Sequence, residues 1–201
     1  MNWLDVVGAS LSLISTYHFT KSYHSAWVIG MFAIVLNTIL YWQKGVYGHV
    51  LLEAIYFIIM IIGLMKWQRN NNTSVYQLST KQMLIASGIV FSLFLSYAYF
   101  LIAYTPSTIP YWDASTTVLC LFAQAMMIYR IIQCWMIWFI VDAMIVILQW
   151  QQGMPFHSIV TFIYLGLAIL GFLRWKKDLV HPVADKLSFS IFSSKNNSVS
   201  S

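Results

Sequence analysis

The sequence predicts an all-α polytopic membrane protein of seven transmembrane helices in a 3+1+3 order, the two triplets being parallel repeats. Three observations carry this. The 201 residues are 60% hydrophobic, 17% aromatic and only 8% charged, with a mean hydropathy of +0.72, whereas soluble domains carry about 25% charged residues. The apolar residues fall into long blocks, and a helix needs about 20 of them to cross a bilayer. Finally, the first part of the chain matches a later part at a single offset of 108 residues.

The blocks lie at 3–19, 26–42, 47–67, 82–104, 111–130, 134–150 and 155–175. Backbone groups in lipid must be paired internally, and none of these runs alternates as barrel strands do, so each reads as a helix. The start, Met1 to Asp5, lacks the basic residues and cleavage site of a signal peptide, so the first block is expected to be mature structure. Of the 11 Lys and Arg residues, Lys44 alone falls on the N-terminal side. Lys21, Lys66, Arg69, Lys81, Arg130, Arg174, Lys176, Lys177, Lys186 and Lys195 share the other face. The positive-inside rule then predicts an outside N-terminus and a cytoplasmic C-terminus. The expected divisions are a first three-helix repeat (1–67), a polar cytoplasmic loop from Gln68 to Lys81 with a linker helix (together 68–110), a second repeat (111–177) and a flexible cytoplasmic tail (178–201).

The repeat rests on uncommon residues. At the one offset Asp5 meets Asp113, Trp27 meets Trp135, Trp42 meets Trp150, Gln43 meets Gln151 and Gly45 meets Gly153; His49, Tyr56, Gly63, Lys66 and Trp67 then meet His157, Tyr164, Gly171, Arg174 and Trp175. Four crossings precede the second copy, so both copies enter the membrane from the same side, about an axis along its normal. Paired repeats around a midplane cavity are a common construction of transporters; a duplicated protein that moves nothing is the simpler alternative.

Of the six acidic residues, Asp178 and Asp185 fall in the tail, while Asp5 and Asp113 start outer helices, where the helix dipole favours a carboxylate. Glu53, two turns into the third helix, and Asp142, at the centre of the sixth, are different. Burying an ionised carboxylate there costs about 2.5–3.5 kcal/mol on insertion scales. Helical spacing places Trp135, Trp138, Asp142 and Gln149 on one stripe, suited to a delocalised organic cation held by charge pairing and cation–π contact. An interfacial tryptophan belt with a protonated packing residue is the bland alternative. A second stripe runs Asp113, Thr117 and Gln124, whose deep amide could read a carbonyl, amide or hydroxyl. On the third helix, Glu53, Tyr56, Met60, Gly63 and Trp67 share a face. For Thr117, Tyr56 and Asn37, interhelical hydrogen bonding explains the residue as well as a ligand does.

No phosphate loop, HExxH, GxSxG or glycine-rich dinucleotide fingerprint occurs, so neither ATP coupling nor a cofactor is indicated. Cys120 and Cys134 show no CxxC spacing, and the five histidines fall near span ends or in the tail, which argues against a metal site. The basic residues are scattered singly, not gathered in a phosphate-tracking patch, so nucleic acid is not an expected partner. An intramembrane aspartyl enzyme would need Asp113 and Asp142 at one depth, and their positions along the helices separate them.

The chain resembles the PnuC family of bacterial vitamin transporters across residues 3–177. The resemblance is carried by Trp3 to Asp5, by Asp113 with Thr116 and Thr117, by Ala123, Gln124, Met126 and Arg130, and above all by the Trp135, Trp138 and Asp142 spacing. It implies the 3+1+3 arrangement, similar to that of SWEET-type transporters. It also implies inner-membrane uptake of nicotinamide riboside by facilitated diffusion, trapping of the solute by a cytoplasmic kinase, and a homotrimer. Carried onto matching positions, the site would include Gln124, Trp138 and Asp142, with Glu53 at the polar position of the third helix.

Two acids stand where nicotinamide riboside carriers of that family tend to have amides, and Cys134 stands where they tend to have a glutamate. Thiamine, whose thiazolium could pair with Asp142 and whose aminopyrimidine could meet Glu53, is therefore the alternative solute; a neutral flavin ranks third. A proton-coupled symporter is the mechanistic rival, since a buried acid can take up a proton as readily as a cation.

Overall fold

The computed structural model describes residues 3–43, 47–69, 74–106, 109–151 and 155–179. Among them are seven helices: α1 (Trp3–Thr20), α2 (Ser25–Gln43), α3 (Tyr47–Arg69), α4 (Thr80–Tyr104), α5 (Pro110–Ile128), α6 (Cys134–Gln151) and α7 (Pro155–Lys177). Thr80–Tyr104, Cys134–Gln151 and Ser158–Lys177 are long and apolar enough to cross a membrane, and Ser25–Leu40 is a shorter apolar stretch. Polar residues such as Ser12, Ser15 and Thr16 on α1, Glu53 on α3 and Gln124 on α5 interrupt the others, and these polar residues face inward together.

Six helices close a ring. Packing runs from α1 to α2 to α3, across to α5, on to α6 and α7, and back to α1. Helix α4 stands outside, packed against α5 alone among the described helices, with most of its apolar side chains facing outward. That placement suits its composition, because an exposed Leu or Phe costs nothing in lipid.

The first turns of the two triplets, between α1 and α2 and between α5 and α6, are built alike. Ser22 and Arg130, 108 positions apart, both take a left-handed backbone, with φ of 56° and 54°. The bonds around them match one for one. Lys21, Ser22 and Tyr23 donate from N–H to the carbonyls of His18, Phe19 and His18; Tyr129, Arg130 and Ile131 donate to those of Met126, Met127 and Met126. This is the Schellman stop, which satisfies the last carbonyls of a helix. It ends α5 at Ile128, two residues before the expected end, and leaves Arg130 in the turn.

At this end of the bundle four fully buried tryptophans form the core: Trp27, Trp67, Trp135 and Trp175. Their rings meet edge to face, at 5.3 Å for Trp27 with Trp67 and 5.4 Å for Trp135 with Trp175, the geometry that aromatic quadrupoles favour. Glycines make room for them. A Cβ at Gly63 would lie 2.3 Å from the Trp27 ring, and one at Gly171 2.5 Å from the Trp135 ring. Two indole N–H groups cross between the triplets: Trp67 Nε1 donates to the Ile128 carbonyl and Trp175 Nε1 to that of Phe19, each at 3.1 Å.

The Gln68 to Lys81 stretch is not wholly a loop. Helix α3 runs through Arg69, and Ser79 caps α4 in a reciprocal box with Gln82. Between them Val75 is completely buried. The Tyr76 N–H donates to the Arg130 carbonyl, the Ile132 N–H donates back to the Tyr76 carbonyl, and the Gln133 side chain bonds both backbone groups of Leu78. Burying Val75 and pairing the neighbouring backbone stabilise an ordered strap here despite its polar composition. Of the expected tail, Asp178 and Leu179 are ordered against Val75; residues 180–201 lie outside the described residues.

Candidate solute-binding site

The ring encloses a cavity of about 410 Å³, the size of pockets that take small organic solutes. All six ring helices line it. Helix α6 contributes Trp135, Trp138, Asp142 and Gln149; α3 contributes Glu53, Tyr56 and Met60; α5 contributes Gln124. The cavity thus gathers Asp142, Trp138, Gln124, Glu53, Trp135 and Tyr56 from three helices. Thr117 is not among the lining residues, although it shares the α5 face with Gln124; Asn37 is also absent from the wall but reaches it indirectly, by hydrogen bonding to Glu53.

At one end the cavity abuts the tryptophan core, since Phe19 and Trp135 belong to both. Above that floor the wall is apolar apart from a few convergent polar groups. Gln124 is nearly buried, and its amide nitrogen has the Met60 sulfur as a weak acceptor at 3.8 Å. Asp142 is close enough to Cys120 and Tyr164 to act on both electrostatically. The buried Trp135 Nε1 makes no hydrogen bond with the described residues. An acid, an indole face and an amide with spare capacity have the chemistry to hold a ring that bears positive charge and hydrogen-bonding groups.

The polar groups are braced by neighbouring side chains, the two tyrosines in matched fashion. Tyr56 hydrogen-bonds Cys120 and Tyr164 hydrogen-bonds Ser12, and both partners are related by the 108-residue offset. Glu53 bonds the Asn37 amide of the preceding helix, and Thr161, the counterpart of Glu53, bonds Gln149 at 2.9 Å. Ser12, Ser15, Thr16, Thr161 and Tyr164 also line the cavity and do not stand out as site residues in the sequence. The offset contains the signal: Thr16 corresponds to Gln124, Thr161 to Glu53 and Tyr164 to Tyr56. Among the described residues no group of three His, Cys, Asp or Glu side chains converges to hold a metal.

A helical ring with apolar spans around a solute-sized chamber is the architecture of a multi-pass membrane protein with an internal cavity. The family model described as nicotinamide mononucleotide transporter matches residues 2–177, and the chain belongs to that family, whose members are carriers and not enzymes. Among curated relatives, the nicotinamide riboside transporter PnuC of Escherichia coli (strain K12) is 20% identical over 204 residues, covering 87% of this chain and 85% of its own length. That of Neisseria mucosa is 21% identical over 196 residues, covering 88% and 73%. Among solved structures, the vitamin B3 transporter PnuC superposes with a TM-score of 0.74 at 21% identity, covering 87% of this chain and 81% of that one. Family and apolar helices together make this an inner-membrane, multi-pass protein.

Proposed function

We propose that the chain carries nicotinamide riboside, a cationic vitamin precursor, into the cell by facilitated diffusion, with its pyridinium ring stacked on Trp138 and paired with Asp142. The observation that carries this reading is the convergence of Asp142, Trp138, Gln124 and Glu53 on one chamber between two triplets of helices. Trp135 and Tyr56 complete the aromatic wall, and Gln124 meets the carboxamide or ribose.

In this reading the triplets are copies related by an axis along the membrane normal, and they rock about the chamber to open it to one side at a time. Support comes from the twin left-handed turns at Ser22 and Arg130 and from the twin glycine–tryptophan contacts. The N-terminus faces outward, which sets ten of the 11 Lys and Arg residues in the cytoplasm. A homotrimer and a kinase that traps the solute belong to the same reading, and the chamber itself requires neither.

A second solute, thiamine, is favoured by one observation: Glu53 lines the same cavity as Asp142, so a second charged or hydrogen-bond-rich ring has a partner. Calorimetric titration of the purified protein with each compound decides. Micromolar or tighter binding of nicotinamide riboside, with thiamine silent, supports the first; the reverse makes this a thiamine carrier with Glu53 and Asp142 as the selective pair.

A further inference from the structure

The two sides of the chamber are made from corresponding positions and differ in shape. Gly30 on α2 corresponds to Trp138 on α6, and Met60 on α3 corresponds to Ala168 on α7; all four line the cavity. Each side therefore holds one large and one small residue, but on opposite helices. On the α6–α7 side the bulk is a rigid indole whose face can be stacked upon. On the α2–α3 side it is an unbranched thioether, the side chain best suited to filling an irregular gap.

Contacts show where that thioether sits. A Cβ at Gly30 would lie 2.8 Å from Met60 Cε and 3.0 Å from Ser15 Oγ. The Met60 methyl thus occupies the space into which a side chain at position 30 would project, as the Trp138 indole does from the corresponding position. Ser15 cannot yield this space, because its hydroxyl donates to the Ala26 carbonyl at 2.7 Å. The other end of the thioether is held by Gln124, whose Nε2 lies 3.8 Å from Met60 Sδ. Charge is divided in the same way, since Ile34 stands where Asp142 stands on the other side.

We propose that Met60, seated over Gly30, is a specificity-determining residue that fills the half-site corresponding to Trp138, so that the chamber admits one single-ring aromatic cation on the Trp138 side and refuses fused rings. This rests on the transport reading above and adds to it the shape of the solute. Shortening Met60 reopens the second half-site. Adding a methyl at Gly30 drives the flexible end of Met60 further into the chamber and narrows it.

The test is titration of wild type, Met60→Ala, Gly30→Ala and the double variant with nicotinamide riboside and with its fused-ring analogue, the quinolinium-3-carboxamide riboside. Wild type should favour the single ring by about tenfold or more, the scale on which apolar pockets read a few extra carbons. Met60→Ala should shrink that preference severalfold, Gly30→Ala should sharpen it or weaken both ligands, and the double variant should follow Met60→Ala. An unchanged preference in Met60→Ala overturns the proposal. Melting temperatures give a readout that needs no ligand: Gly30→Ala should lower Tm when Met60 is intact and much less when Met60→Ala is already present, and equal losses in both cases would also overturn it. If wild type binds neither nicotinamide riboside nor thiamine, the transport reading fails, and the melting cycle then decides the packing claim by itself.

Discussion

A carboxyl group near the middle of an apolar helix is costly unless a partner repays its dehydration, and Asp142 faces the cavity with no Lys, Arg or His among the described residues of its wall. In the proposed function a positively charged solute supplies that partner. Asp142→Asn should therefore weaken nicotinamide riboside about tenfold or more, equivalent to roughly 1.4 kcal/mol, while the protein still inserts; unchanged affinity by calorimetry would remove Asp142 from the site. Trp138→Phe keeps a ring for stacking and should lose less affinity than Trp138→Ala, whereas equal losses would mean that the indole only packs. At this scale the costly and the aromatic residues are legible in the sequence, because charge and indole are conspicuous in an apolar chain. Ser12, Thr16 and Thr161 are not, since a hydroxyl on a membrane helix ordinarily bonds a carbonyl of its own turn, as Thr16 does to Ser12 at 3.0 Å. Thr117 shows the converse: a spacing of seven from Gln124 gives the same face in projection, but the two differ in depth by more than one turn.

At the scale of elements, the seven helices are legible from block length, and their ends agree with expectation to within a few residues. The 74–79 strap is not, because its order comes from Val75 entering the core and from backbone bonds to the α5–α6 turn, contacts that no local pattern encodes. The glycine–tryptophan sockets are visible in the sequence only as matching letters at one offset. Their physical content is steric: Gly63→Ala and Gly171→Ala each press a methyl into an indole that cannot retreat. Each should cost about 1–3 kcal/mol, the usual range for overpacking, read as a drop in Tm. A variant as stable as wild type would show that the sockets have slack. Trp67→Phe and Trp175→Phe should destabilise by similar amounts, since each leaves one buried carbonyl, that of Ile128 or Phe19, without its indole donor.

For the whole molecule, the closed ring gives a route along its axis, and the tryptophan core blocks that route at the basic end. In the proposed rocking mechanism, opening that end would separate Trp67 and Trp175 from the carbonyls they bond in the opposite triplet while the other end closes. The sequence holds no ATP-binding motif to drive it. In vesicles without a trapping kinase and clamped at zero membrane potential, uptake should stop at equal concentrations inside and out and should resist a protonophore. At zero membrane potential, accumulation driven by an imposed pH gradient and abolished by a protonophore would establish proton symport instead, with Glu53 or Asp142 as the proton carrier. A site between the two triplets is an expectation of the sequence, but the closure of the ring is not legible there, because the pairing of α3 with α5 and of α1 with α7 that closes it joins residues far apart in the chain.

The central claim is that this chamber binds a cationic vitamin. Calorimetric titration of the detergent-purified protein with nicotinamide riboside tests it most directly, with thiamine as the parallel titrant and Asp142→Asn as the control. The account predicts saturable binding, micromolar or tighter, of nicotinamide riboside, with affinity reduced about tenfold or more in the variant. No heat from either compound, or equal affinity in the variant, would contradict it.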